Sequence, residues 1–117
     1  MHTQIVQLIN PNTIVLAVAQ VAKREQGFYG TVKLSLMPIT LQQIFAEYED
    51  IVNGQMFSLL DEIEDQIEAL GLKVRFDTGY EANLEDLQIY PSTNRISFKV
   101  VKEPVQDIAK GTMLVRT

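Results

Sequence analysis

Between Thr40 and Leu70 the apolar residues fall in steps of three and four: Leu41, Ile44, Phe45, Tyr48, Ile51, Val52, Met56, Leu59, Leu60, Ile63, Ile67 and Leu70. That spacing follows the turn of an α-helix and gathers them into one stripe that has to be buried. Pro38 and Thr40 suit a helix start, and Gly71 suits the position just past the end. Asn53-Gly54 interrupts the stretch and is able to end one helix and begin another. The stripe nevertheless keeps its phase across the glycine, and Gly54 points away from the apolar face. The pattern therefore predicts one helix, bent at most, of about 30 residues and about 45 Å.

Three segments alternate with period two, each reading as a strand with one buried and one polar face. Val32, Leu34 and Leu36 alternate with Thr31, Lys33 and Ser35; Leu72, Val74 and Phe76 with Lys73, Arg75 and Asp77; Ile96, Phe98 and Val100 with Arg95, Ser97 and Lys99. Leu87–Tyr90, followed by Pro91-Ser92-Thr93-Asn94, reads as the first arm of a hairpin into the Arg95 strand. The segment from Ile14 to Ala22 is apolar on both sides. It fits a central strand or a short helix capped by Asn12 or Thr13, and its β-branched Ile14, Val15, Val18 and Val21 favour the strand. Ile5–Ile9 is a candidate edge strand, and Met113–Val115 a candidate further strand or tail.

These elements predict a single α+β domain over residues 1–117. It has two layers: a mainly antiparallel sheet of about four to six strands, and one long amphipathic helix, about residues 40–70, packed on one face. Phe45, Leu59, Ile63, Val74, Phe76, Ile96 and Phe98 are the expected core.

With 117 residues, the chain is long enough to bury a core without covalent staples. It contains no cysteine, which removes disulfides, thiolate metal sites and cysteine nucleophiles together. Its one histidine is His2, so neither a histidine metal cluster nor a histidine-centred triad can form in the body of the domain. The longest apolar run, Ile14–Ala19, falls far short of the ~20 residues that span a bilayer. A cytoplasmic protein without membrane contact is the expectation.

Charge is segregated. Glu47, Glu49, Asp50, Asp61, Glu62, Glu64, Asp65 and Glu68 lie between Leu34 and Leu72 with no lysine or arginine among them, and all 10 basic residues lie outside. Acids four apart, such as Asp61 and Asp65, repel, and a basic partner would relieve them. Lys33, Lys73, Arg75, Arg95 and Lys99 fall at polar-face positions of the three alternating strands. If those strands share one sheet, its face away from the helix is basic. Asp61, Asp65 and Glu68 on one side and the five bases on the other are thus the candidate partner surfaces.

Walker, dinucleotide-binding, EF-hand, nucleophile-elbow and zincin patterns are all missing from the sequence. Acids along a single helix face do not wrap an ion, so no metal or other cofactor is expected. Asp77-Thr78-Gly79-Tyr80-Glu81 is the one loop with convergent chemistry, and Asp77, Tyr80 and Glu81 are its candidate pocket residues. A basic sheet face also suits single-stranded nucleic acid, but that use requires aromatic platforms, and Phe76 and Phe98 belong to the apolar face. The acidic balance, net charge −5, argues the same way.

The functional expectation is a non-catalytic interaction module that self-associates as a dimer or larger homo-oligomer, or that binds another protein. The alternatives are a small enzyme or ligand-binding protein with a pocket near residues 77–81, and a weak nucleic-acid binder on the basic sheet face.

Overall fold

The computed structural model describes residues 2–101. Six strands are formed: β1 (Thr3–Ile9), β2 (Val15–Arg24), β3 (Gly27–Lys33), β4 (Lys73–Phe76), β5 (Glu81–Tyr90) and β6 (Arg95–Val100). Two helices, α1 (Ile39–Asn53) and α2 (Leu60–Ala69), lie between β3 and β4. The strands close into a barrel in the order β1-β2-β3-β6-β5-β4, every pair antiparallel. It is built from two three-stranded meanders, and two seams join them: β3 with β6, and β1 with β4.

This overturns the two-layer α+β expectation of an open sheet under one long helix. Alternation along a strand reports one buried face, and the inside of a barrel satisfies that as well as the underside of a sheet. Ile5–Ile9 does form a strand, but closure places it between β2 and β4, so it is no edge. Residues 14–22 are resolved as strand, since Val15–Arg24 forms β2. The Val32 strand ends at Lys33. Leu34 and Leu36 lie beyond it, Leu36 being 60% exposed. Met113–Val115 lies outside the described residues.

The single helix over 40–70 is likewise corrected. Helix α1 ends in a Schellman motif: the N–H of Met56 donates to the Ile51 carbonyl, and that of Gln55 to the Val52 carbonyl. Gln55 takes the left-handed conformation (φ 58°) that this motif requires, while Gly54 itself stays right-handed (φ −83°). A 3-10 turn, Phe57–Leu59, then leads into α2. The apparent continuity of the stripe rested on Met56 and Leu59, which are 44% and 47% exposed. Phase is kept across the break because both helices bury their stripes in one core.

Phe45, Ile63, Val74, Ile96 and Phe98 are buried in a single cluster, and Phe76 packs partly buried against it. Leu59, the remaining expected core residue, is at the surface. At one end of the barrel Phe28 stacks on Phe98 (5.2 Å between ring centroids) and leans on Phe76 (5.6 Å). At the other end the helical connection crosses from β3 to β4, on opposite sides of the ring, and its Phe45, Tyr48, Ile51, Ile63 and Ile67 join the barrel interior in the same cluster. Among the described residues no helix is long and apolar enough to cross a membrane.

Candidate functional site

Strand β5 outruns its neighbour β4. The β4–β5 ladder stops at Lys73–Asn83, while β5 continues to Tyr90 along β6. Beyond that point the chain leading into β4 turns away at Gly71 (φ +64°) toward α2. The space left between α2 and the far half of β5 is a groove of about 610 Å³.

Its walls are acidic. Glu64, Asp65 and Glu68 come from α2, and Glu85 and Asp86 from β5. Its floor is apolar, with Ile67, Leu72, Leu84 and Leu87. Asn83, Gln88 and the phenol of Tyr48 complete the polar lining. Helical spacing explains the α2 side: residues 64, 65 and 68 share a face, with Ile63 and Ile67 turned into the core. A bulge explains the β5 side. The register with β6 shifts between Glu85 and Gln88, and Asp86 sits at φ 53°, so two successive acids are turned out of the strand.

Among the described residues no lysine or arginine lines the groove. Lys99, on β6, reaches Asp86 from outside at 3.3 Å, leaving the other four carboxylates without an ion-pair partner among the described residues. The field is felt at Tyr48, whose hydroxyl is pushed up to about 12, first by burial, then by Tyr90, Glu64 and Asp86 around it. Tyr90, 6.1 Å away between ring centroids, passes its own hydroxyl hydrogen to Gln88 Oε1. The groove therefore offers acceptors and apolar surface. Among the described residues its lining has no serine, threonine, histidine or cation that would serve as a nucleophile or stabilise developing negative charge. Among the described residues no three carboxylates or imidazoles are grouped to hold a metal ion.

Of the expected acidic partner residues, Asp65 and Glu68 line this groove, and Asp61 does not. Asp61 lies with Glu62 in the first turn of α2, where the helix dipole favours acids. The five expected bases are divided between the neighbouring strands β3 and β6 and the distant β4. Lys33 is on β3, while Lys73 and Arg75 are on β4, three strands away in either direction round the ring. Arg95 and Lys99 are on β6. Arg75 is engaged by Gln7 (3.0 Å) and Glu81 (3.5 Å), as Lys99 is by Asp86. A closed barrel spreads outward-facing residues over its circumference, which the sequence pattern alone does not reveal.

The 77–81 loop is the β4–β5 turn. Asp77 lines a shallow depression of about 300 Å³ with Ile5, Gln7, Arg75, Phe76 and Gly79. Tyr80 stacks on Phe76 at 5.9 Å, and Glu81 pairs with Arg75, so neither lines that depression. The polar groove residues that sequence reasoning does not single out are Tyr48, Glu64, Asn83, Glu85, Asp86 and Gln88. In the sequence Tyr48 belongs only to the buried stripe and Glu64 only to the acidic run. The adjacent acids Glu85-Asp86, just before an apolar strand, were the available signal, masked because a bulge breaks the alternation.

Compared with known proteins, the chain matches no family model, no curated protein and no solved structure.

Proposed function

We propose that the protein is a non-catalytic interaction module whose acidic groove between α2 and β5 takes a basic, partly apolar partner. The observation that carries this reading is the set of five carboxylates over an apolar floor, with no base in the lining among the described residues. Repulsion among them is relieved by an incoming cation, and the floor rewards the apolar part of the same ligand. Self-association belongs to the same proposal. The exposed Lys33 and Arg95 have no ion-pair partner among the described residues and do not line the groove, so they are bases that one copy offers to the acids of another. A cytoplasmic setting is part of it too, since a cysteine-free chain needs no oxidising compartment.

A short oligolysine peptide tests the groove. It should bind the full chain at ~0.1 M salt and lose most of its affinity at ~1 M, where the Debye length is about 3 Å. A variant carrying Glu64→Gln, Asp65→Asn and Glu68→Gln together should bind at least tenfold more weakly. Equal binding by the variant places the cationic partner elsewhere. Sedimentation of the free protein at both salt levels tests self-association, and a monomer throughout excludes it.

A further inference from the structure

The groove has a backbone side as well as a charged one. Past Asn83, the edge of β5 that faces away from β6 has no strand partner among the described residues. Among the described residues no turn or loop backbone group bonds to Leu84–Gln88 either. An exposed strand edge is a template for another strand. This one is five residues long, about 16 Å at the usual strand rise, and lies in the line that β4 would follow if the chain did not leave it at Gly71.

We propose that the unpaired β5 edge, Leu84–Gln88, docks an extended segment of another protein by strand addition, and that this segment alternates basic with apolar side chains. The inference rests on the reading of the groove as a site for a basic partner, and it specifies how that partner is held. Backbone pairing supplies affinity in this mode, and alternate side chains supply selectivity. Side chains on one face of the added strand meet the floor at Leu84 and Leu87; those on the other meet Glu64, Asp65 and Glu68. The bulge at Glu85–Gln88 and the two acids on it are devices that keep an edge from pairing indiscriminately. Their common negative sign makes the exclusion selective: an acidic strand is refused, and a cationic strand is favoured.

The probe is an end-capped octapeptide alternating lysine and valine, added to the isotope-labelled full chain. Two control peptides accompany it. One carries N-methyl groups on alternate backbone amides, removing donors without changing charge, and the other replaces lysine by glutamate. Strand addition predicts that the first peptide slows hydrogen exchange at Leu84–Gln88 at least tenfold, that N-methylation weakens its binding at least tenfold, and that the glutamate peptide does not bind. Binding that survives N-methylation without new amide protection overturns strand addition while leaving the acidic groove as the site. Binding by no peptide removes the groove reading and this inference together. Two further outcomes also overturn it. Protection of the edge in the free chain that grows with protein concentration gives the edge to a second copy, and concentration-independent protection gives it to residues 102–117.

Discussion

Glu49 on α1 accepts two hydrogen bonds from Ser92 in the β5–β6 turn, one from its backbone N–H at 3.1 Å and one from its hydroxyl. At 8% exposure it is the one buried charged residue among those described, and it ties the helix that closes the barrel to a turn of the barrel itself. Hydrogen bonds to charged side chains contribute about 1.5–3 kcal/mol. Glu49→Ala should therefore cost that much in urea denaturation. Ser92→Ala should be costly alone and nearly free in the Glu49→Ala background; an unchanged cost there would mean the two residues do not act through each other.

The left-handed Gln55 leads to the opposite kind of change. A side chain in that conformation costs roughly 1–2 kcal/mol that glycine avoids, partly offset by glycine's freer unfolded state. Gln55→Gly should raise stability by about 0.5–1 kcal/mol. A loss on thermal unfolding would contradict the Schellman ending of α1.

Gly30 admits no side chain. It lies opposite Val21 on β2 and Ile96 on β6, and an added Cβ would stand 1.9 Å from the Gln20 carbonyl oxygen. The obstacle is backbone, so relief requires parting β2 from β3. Gly30→Ala should cost about 3 kcal/mol or more, above the usual range for a single added methyl in a core. A mild effect would mean that this part of the barrel wall is looser than its geometry.

Tyr48 sets a limit on alkaline stability. Its hydroxyl titrates at about 12 in the folded protein against 10.0 ordinarily, so the unfolded chain releases the proton first as pH rises. The stabilisation from keeping Tyr48 neutral is complete below pH ~10 and is lost between there and ~12, amounting to roughly 3 kcal/mol. Tyr48→Phe should lose stability less steeply across that window than the parent protein. Parallel curves in chemical denaturation at several alkaline pH values would show that Tyr48 ionises as freely folded as unfolded.

Strand identity was legible in the sequence wherever one face is buried. Val74, Ile96 and Phe98 alternate with polar neighbours and are buried as their period requires. Sheet closure was not legible, because Val6 facing Phe76 across the β1–β4 seam leaves the same local pattern as an open sheet would. The break near Gly54 was visible as a glycine, but the turning residue is Gln55, and a non-glycine at positive φ carries no sequence signal. On the candidate site, the acidity of α2 was plain. Its partner wall was hidden, because Glu85 and Asp86 owe their placement to a bulge and to the length mismatch of β4 and β5.

The two seams of the barrel bear on how the chain reaches its shape. Val6 pairs with Phe76 and Phe28 with Phe98, so each seam joins residues roughly seventy positions apart, and such non-local pairings are slow to find. The β1–β3 meander leaves the ribosome first, and its outer strands β1 and β3 have their partners only in the later β4 and β6. Each meander supplies one strand to each seam, so neither half is closed without the other. A chain truncated anywhere in the second meander leaves open edges on the first, and aggregation rather than a stable half-barrel is the expected fate.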